Sequence, residues 1–140
     1  SSAASDVYKR QVKNRYNSSD LRMLSSIIYS ESGNQVYAGK KAVGIVVMNR
    51  VRSSHFPNTV SGVVYQSGQF TPARNGSLSR SLSLYDSGNL NSDCIKAAKD
   101  ILNGDNTVSY NNKNIDMSSY LYFSGYVPGC RLQIQNHQFK

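Results

Sequence analysis

Apolar residues in the first part of the chain recur at the spacing of an α-helix. Leu21, Leu24 and Ile28 fall on one face of a helix that begins near Asp20. Glu31 continues the same spacing at the helix end, just before "SGNQ" (32–35) breaks the pattern. The pattern therefore predicts a carboxyl group on the core-facing side of the first helix.

A second apolar run extends from Val36 to Val51 and contains "AVGIVVMNRV". It is apolar nearly all round, which is typical of a central helix covered by other elements. Continuous Val and Ile are also compatible with a buried strand. The length of the run and the Ala, Lys and Gly content before it favour the helix.

Polar residues that can accept the free N–H groups of a first turn mark the helix starts. Ser18 or Ser19 is expected to cap the first helix, and Thr59 a short helix "VSGVVYQ". Asn91 or Ser92 is expected to cap an amphipathic helix, "DCIKAAKDILNG", which ends at its glycine. These elements predict a mainly helical core.

The remaining segments are polar or alternate in polarity. Residues 67–91 are rich in Ser, Gly and Asn and are predicted to form a long ordered loop with at most one helical turn. "YLYFSG" (120–125) and "RLQIQNHQF" (131–139) alternate like strands around a turn at "YVPGC". We therefore expect an α+β, mainly α fold with a small β-hairpin near the C-terminus.

Length and charge narrow the class of protein. The chain has 140 residues, enough for one domain with a real core. Its 16 Lys and Arg against 8 acidic residues give a formal charge of +8, which suits a polyanionic partner such as nucleic acid, a membrane surface or a cell-wall polymer. Charge alone does not choose among them. The opening "SSAASDVYKRQ" resembles translated vector sequence, so residues 1–17 are interpreted as a non-native or irregular lead-in and residues 18–140 as the domain.

Several chemistries lack their sequence signatures. The chain contains no Gly-x-Ser-x-Gly elbow, no HExxH and no phosphate-binding glycine loop. His55 and His137 are far apart in sequence, and no metal or cofactor is expected. Lys and Arg are scattered rather than striped, and no apolar run is long enough to span a bilayer.

The chain has two cysteines, Cys94 and Cys130. A single pair excludes a zinc site built from two Cys-x-x-Cys elements. One disulfide is slightly favoured over two free thiols.

Glu31 is the only glutamate in the chain. Burial disfavours the ionised form of a carboxyl group, so a core-facing Glu31 would stay protonated near neutral pH and could act as a general acid. Spacing alone favours a plainer interpretation, in which Glu31 is solvated or paired with Arg50 or Lys40.

Sequence motifs change this balance. The stretch "IIYSESGNQVYAGKKAVGIVVMNRVRSSHFPNTVSGVVYQSGQFTP" (27–72) resembles the signature of the spore cortex-lytic, SleB/CwlJ-type cell wall hydrolases. Later "AAKDILNGD", "YLYF" and "NHQF" resemble further segments of that family, in the same order. Ser30 and Ser32 depart from the usual Gly or Ala neighbours of the glutamate. The resemblance covers about residues 20–139.

The resemblance implies a lysozyme-like, lytic transglycosylase-like domain that cleaves peptidoglycan glycan strands, particularly those of spore cortex. The family's glutamate falls on Glu31, which would be the catalytic acid and base. A 1,6-anhydro product would form without a second carboxylate, although Asp86, Asp105 or Asp116 on loops could still reach the cleft and support hydrolysis.

Residues expected to contact substrate around Glu31 come from two parts of the chain. Aromatic faces can stack on sugar rings, and amide and hydroxyl groups can bond to N-acetyl and hydroxyl groups. Core packing is an open alternative for the aromatic residues, and a structural role is favoured for the histidine. Asn49 and Arg50 are interpreted as scaffold. The predicted substrate-binding residues are Gln69, Phe70, Thr71, Tyr122, Phe123 and His137.

The resemblance also sets the expected partners and setting. The partner would be peptidoglycan, and the protein would act as a monomer outside the cytoplasm, in the cell wall or spore cortex, with its export signal not in this chain. No nucleic-acid partner is expected. The alternatives are a hydrolytic muramidase or an N-acetylmuramoyl-L-alanine amidase on the same polymer, and a non-catalytic basic module that binds glycan or nucleic acid.

Overall fold

The computed structural model describes residues 16–66 and 69–140. Most of the predicted lead-in, residues 1–15, lies outside this part of the chain. The described elements are, in order, α1 Ser18–Ser32, α2 Tyr37–Arg52, α3 Val60–Val64, α4 Thr71–Arg74, α5 Ser77–Asp86, α6 Ser92–Leu102, β1 Thr107–Tyr110, β2 Lys113–Asp116, β3 Phe123–Ser124, β4 Leu132–Ile134 and β5 His137–Phe139.

Helix α1 forms as its apolar spacing predicts, but its cap lies earlier than expected. Asn17 is the N-cap, and its side chain accepts a hydrogen bond from the Asp20 backbone N–H at 2.7 Å. Ser18 and Ser19, the predicted caps, lie inside the first turn. An extended Asn is as good a cap as Ser, so sequence did not distinguish the three positions.

Helix α2 is the central helix that its composition indicates. Its residues from Ala38 to Arg50 are all buried, and α1, α3 and α6 pack against it. Gly44 allows α1 and α6 to pack closely against α2, because a Cβ at this position would lie 2.6 Å from Ile101 Cδ1 and 2.7 Å from Ile28 Cδ1. The strand alternative for this segment is wrong.

The predicted caps of α3 and α6 are confirmed. The Thr59 hydroxyl accepts from the Gly62 N–H at 3.0 Å, and the Asn91 side chain accepts from the Asp93 N–H at 2.9 Å. Gly104 takes a left-handed conformation after α6, with φ 103°. The helix ends there, as predicted.

The long loop predicted over 67–91 is wrong, because most of this segment is helical. It contains α4 and the ten-residue α5, which packs against α1. Serine disfavours helix only mildly. Leu78 and Ser81 of α5 are buried against the core, and this packing outweighs the weak propensity.

The β part differs from the single predicted hairpin. Strands β1 and β2 form an antiparallel hairpin in a polar segment for which no strand was predicted. Its turn is made by Asn111 and Asn112, both with positive φ (51° and 60°). Asn tolerates this conformation better than most residues, and two adjacent positive φ values suit a tight hairpin turn.

The C-terminal segment 131–139 is itself a hairpin rather than one strand. β4 and β5 pair around Gln135, whose φ is 49°, and β3 adds to the far side of β5. The sheet order is therefore β3-β5-β4. The regular alternation of polarity in 131–139 hid the reversal, since both strands share that pattern.

The turn of this sheet is fixed to the start of α2. Gln135 Oε1 accepts a hydrogen bond from the Val36 N–H at 2.7 Å, and the buried Gln35 accepts from the Asn136 N–H at 3.2 Å. The sheet and the helical core are thereby joined next to the α1–α2 connection.

The predicted disulfide is absent, since both cysteines are free. Cys94 is fully buried on α6, and burial raises the pKa of its thiol to about 11. Cys130 is exposed between β3 and β4 and donates to the Leu132 carbonyl at 3.3 Å. One thiol faces the core and the other faces solvent, so the bridge does not form.

None of the helices in residues 16–66 and 69–140 is long and apolar enough to cross a membrane.

Candidate active site

Glu31 lies in the last turn of α1, at the edge of its buried face. Leu24 and Ile28, one and two turns earlier on the same side, are fully buried, whereas Glu31 is half-buried. Burial raises the pKa of the Glu31 carboxyl from 4.5 to about 7. The C-terminal end of a helix carries partial negative charge, which also disfavours a second negative charge there.

No described group pairs with the Glu31 carboxyl. Lys40 donates to the Gln35 carbonyl, and Arg50 donates to the Leu121 carbonyl and to Gln69. The alternative that Glu31 is paired with one of these cations is therefore wrong. The carboxyl group is about half protonated near neutral pH, as a general acid requires.

A small polar cavity opens on one side of Glu31. It has a volume of about 170 Å³. It contains Glu31 and five of the six predicted substrate-binding residues, together with Arg50, Ser124 and Gly125. We call it the aromatic pocket; it is lined by Glu31, Arg50, Gln69, Phe70, Thr71, Phe123, Ser124, Gly125 and His137.

Arg50 holds one wall of the aromatic pocket. Its Nη1 donates to Gln69 Oε1 at 2.8 Å, and its Nε donates to the Leu121 carbonyl at 2.8 Å. The guanidinium lies 4.9 Å from the Phe56 ring centre and 5.4 Å from the Phe70 ring centre. The scaffold role expected of Arg50 agrees with these contacts, and its side chain also lines the pocket.

Asn49 has the scaffold role expected of it. Its Nδ2 donates to the carbonyls of Met117 and Tyr120, both at 2.8 Å. The side chain therefore fixes the segment that leads into β3.

The aromatic residues divide between core and cavity. Phe70 is only 3% exposed and packs against Phe123 with ring centres 5.8 Å apart, so most of its surface belongs to the core. Phe123 is half-buried, with the His137 ring edge-on at 5.5 Å.

Tyr122 does not line the aromatic pocket. Its side chain is 49% exposed and lies edge-on to Phe56 at 6.4 Å. Successive residues of an extended segment point to opposite sides, so Tyr122 and Phe123 cannot both face Glu31. A substrate contact by Tyr122 stays a prediction.

His137 lines the pocket and has one buried ring nitrogen. Its Nδ1 is buried and has no hydrogen-bond partner within the described part of the chain. Burial lowers the pKa of its imidazole, which therefore stays neutral at pH 7. A neutral imidazole can both donate and accept a hydrogen bond.

A larger groove opens on the other side of Glu31, between α1 and α5. Its volume is about 570 Å³. Sequence reasoning missed this half of the site because α5 was predicted to be a loop. The helical spacing of Leu78, Leu82 and Tyr85 was the available signal. We call it the serine groove; it is lined by Tyr29, Ser30, Glu31, Gly33, Asn34, Ser77, Arg80, Ser81 and Leu84.

Two serines join the walls of the serine groove. Ser30 Oγ and Ser81 Oγ are 2.6 Å apart, and Ser81 Oγ also donates to the Ser77 carbonyl at 3.1 Å. Because the Ser81 hydroxyl donates its proton to the Ser77 carbonyl, the Ser30 hydroxyl is the donor to Ser81 Oγ. The remaining lone pairs of Ser30 are then free to accept a hydrogen bond beside Glu31.

The aspartates that could have served as a second carboxylate are engaged elsewhere. Asp86 pairs with Arg22 at 2.7 Å, Asp105 pairs with Lys41 at 2.6 Å, and Asp116 accepts from Ser118 at 2.6 Å. Among described residues, Glu31 is the only carboxylate lining the aromatic pocket or the serine groove.

Within residues 16–66 and 69–140, no three His, Cys, Asp or Glu side chains gather as a candidate metal site.

The helical core, the small sheet and the acid between two cavities define the class of this protein. Residues 34–140 match the family described as Cell Wall Hydrolase, and the chain belongs to that family. Glu31 precedes the matched residues.

Curated relatives are spore cortex-lytic enzymes. The enzyme of Bacillus cereus is 40% identical over 67 residues, which is 48% of this chain and 26% of that protein. The enzyme of Bacillus subtilis strain 168 is 30% identical over 73 residues, 52% of this chain and 24% of that protein. The chain thus spans about a quarter of the length of these relatives.

Solved structures agree with this grouping. The catalytic domain of SleB from Bacillus anthracis, described as a germination-specific lytic transglycosylase, aligns with a TM-score of 0.57 and 28% identity, covering 90% of this chain and 97% of that one. The catalytic domain of Bacillus cereus SleB aligns with a TM-score of 0.61 and 27% identity, covering 90% and 92%. The predicted family and the lysozyme-like, mainly α fold class are confirmed.

Proposed function

We propose that this chain is a peptidoglycan-cleaving enzyme, a lytic transglycosylase that cuts the bond between a muramic-acid-type sugar and N-acetylglucosamine. The product would be a 1,6-anhydro muramyl end. Family membership and the similarity to the catalytic domain of SleB, a germination-specific lytic transglycosylase, support the reaction class. Residues 18–140 would form the catalytic domain.

The observation that carries the proposal is the position of Glu31 together with the raised pKa of its carboxyl group. Its carboxyl group lies at the junction of two cavities, has a pKa of about 7 and is unpaired among the described residues. A protonated carboxyl in this position can donate to the glycosidic oxygen of a strand lying along both cavities.

One carboxyl group suffices for the whole cycle. Glu31 gives its proton to the departing N-acetylglucosamine oxygen as the C1–O bond breaks. The resulting carboxylate then takes the proton of the C6 hydroxyl, which attacks C1 and closes the anhydro ring. No water is consumed, and Glu31 is protonated again at the end.

The aromatic pocket would position the sugar next to Glu31. Gln69, held by Arg50, and Thr71 would bond to N-acetyl and hydroxyl groups. His137, which lines this pocket, would contact the sugar, and the half-buried ring of Phe123 would contact a sugar face. Phe70 would act mainly through packing.

The substrate would be peptidoglycan of spore cortex, as the names of the relatives suggest. The protein would then work outside the cytoplasm, as a monomer, without a cofactor and without a nucleic-acid partner. Its charge of +8 would favour binding to an anionic wall polymer.

Hydrolysis by a muramidase is the competing reaction at the same bond. A retaining or inverting hydrolase needs a second carboxylate within ~5–9.5 Å of the acid. Asp86, Asp105 and Asp116 are bonded elsewhere, as described above, which favours the transglycosylase. An amidase on the same polymer and a non-catalytic binding module remain the alternatives that an experiment must separate.

The test replaces Glu31 with Gln, which keeps the shape of the side chain but removes its acid. We expect Glu31→Gln to lose cleavage of purified cortex by about 10²–10⁴-fold while still sedimenting with the polymer. Asp20→Asn, at the opposite end of α1, is the matched control and should cleave normally. Undiminished cleavage by Glu31→Gln would refute the proposal, and cleavage by neither variant nor wild type would favour a binding module.

A further inference from the structure

Among the described residues that line the serine groove, Arg80 is the only cation. It shares the groove with Glu31, two serines that are bonded to each other, Tyr29 and Leu84. Arg80 and Leu84 also line an adjoining depression of about 620 Å³ on the outer side of α5. Arg80, which is exposed, therefore lies where the serine groove meets this surface depression.

The Arg80 guanidinium forms no ion pair or hydrogen bond with the described residues. Other arginines of the same region are engaged. Arg22 is paired with Asp86, while Arg50 is buried and donates to Gln69 and to a backbone carbonyl. Arg80 is thus the one cation lining either cavity of the site whose donors are free among the described residues.

The free donors define the chemistry of a ligand. A guanidinium offers a planar pair of N–H groups that matches a carboxylate. In peptidoglycan the muramic-acid-type sugar carries carboxylates, on its lactyl group or on its stem peptide, whereas N-acetylglucosamine carries none.

We infer that Arg80 binds a carboxylate borne by the muramic-acid-type sugar, and so fixes the direction in which the glycan strand lies across Glu31. This inference rests on the proposed function. The muramyl sugar occupies the serine groove, and the N-acetylglucosamine occupies the aromatic pocket. Arg50, the one cation among the described residues that line that pocket, is already bonded and does not compete for the carboxylate.

A consequence for specificity follows from the same contact. A muramic sugar whose carboxyl group is closed into an internal lactam has no charge to offer Arg80. Arg80 therefore favours muramyl residues with a free lactyl or peptide carboxylate over lactam residues in the serine groove.

The experiment measures binding apart from cleavage. Glu31→Gln is the parent protein, and Arg80→Gln is added to it. Sedimentation with insoluble peptidoglycan is compared before and after the polymer's carboxylates are converted to amides with a carbodiimide and ammonia. We expect Arg80→Gln to weaken binding to native polymer about three- to tenfold and to leave binding to amidated polymer unchanged.

Two further variants are matched controls. Arg80→Lys keeps the charge without the planar fork and should lose less affinity than Arg80→Gln. Lys113→Gln removes the same charge from exposed β2, outside either cavity. Equal losses from Lys113→Gln and Arg80→Gln would overturn the inference, because net charge alone would explain them.

Removal of stem peptides with an amidase distinguishes the two carboxylate sources. Amidase cleavage frees a lactyl carboxylate that the amide bond masks in stem-bearing residues, so an Arg80 effect that persists or grows on the stripped polymer shows that Arg80 binds the lactyl carboxylate, and one that disappears assigns the peptide carboxylate. An Arg80→Gln protein that binds native polymer as well as its parent would refute the inference. If wild-type protein still released anhydro ends, the proposed function would survive that result.

Discussion

Arg50 Nη1 donates to Gln69 Oε1 at 2.8 Å and so links the buried central helix to the wall of the pocket beside Glu31. The same guanidinium donates to the Leu121 carbonyl at 2.8 Å, just before β3. One side chain, which is only 4% exposed, therefore connects three segments that are distant in sequence: α2, the residues around Gln69 and the residues just before β3.

Arg50→Lys should lower the free energy of unfolding by about 2 kcal/mol. An ammonium group cannot donate to both Gln69 Oε1 and the Leu121 carbonyl as the guanidinium does, so one of these acceptors is left unsatisfied. Chemical denaturation measures the change. Arg52→Lys is the control, since Arg52 is exposed and bonds only to Asn106 at 3.3 Å. Equal effects of the two substitutions would show that Arg50 does not hold the pocket wall.

Glu31→Gln should stabilise the fold at high pH. The folded-state pKa of about 7 lies above the ordinary value of 4.5, so between these values the native state holds more protons than the unfolded chain. Stability from this group is complete below pH 4.5 and falls as pH rises through 7. We expect the variant to be more stable than wild type by roughly 3 kcal/mol at pH 8 and equal to it at pH 4.

Thermal unfolding of both proteins at the two pH values tests this directly. A difference that is the same at pH 4 and pH 8 would mean that Glu31 ionises normally and is not the buried acid described here.

The pH dependence of cleavage should show the same group. Glu31 must be protonated when the free enzyme meets its substrate, so kcat/KM should fall about tenfold per pH unit above an apparent pKa of about 7. Initial rates on soluble glycan fragments supply the profile. A constant kcat/KM from pH 6 to pH 9 would exclude a titrating acid of this pKa.

Gln135→Ala should destabilise the junction between the sheet and α2 by about 1 kcal/mol, because the Val36 N–H loses its acceptor. Gln135→Glu keeps an acceptor oxygen and adds negative charge at a helix N-terminus, so it should be neutral or stabilising. Denaturant titration of the two variants measures the difference. Equal destabilisation by both would show that the hydrogen bond contributes nothing.

Local patterns predicted α1, α2, α3 and α6, and the predicted pairing of 120–125 with 131–139 is present between β3 and β5, but α4, α5 and the β1–β2 and β4–β5 hairpins were not predicted. The spacing of Leu24, Ile28 and Glu31 and the caps Thr59 and Asn91 were sufficient for α1, α3 and α6. The β1–β2 hairpin turns on Asn111 and Asn112, and the β4–β5 hairpin turns on Gln135, all with positive φ. Such single-residue conformations follow from tertiary context more than from polarity.

Of the two cavities beside Glu31, only the aromatic pocket could be predicted from the sequence, because the serine groove also depends on tertiary packing. The motifs around Gln69 and His137 indicated the aromatic pocket, whose residues the structure brings together with Glu31. The serine groove depends on α5, a serine-rich helix that forms only because its buried face packs on α1. Arg80 and Ser81 therefore carried no recognisable signal until that helix was in place.

The chemical identity of the cleaved ends tests the central claim most directly. Purified spore cortex is digested in oxygen-labelled water, and the muramyl ends are analysed by mass spectrometry. A one-carboxylate transglycosylase acting through Glu31 should release 1,6-anhydro ends, each one water lighter than a reducing end and without the label. Labelled reducing muramyl ends, or free peptides with intact glycan, would contradict the account.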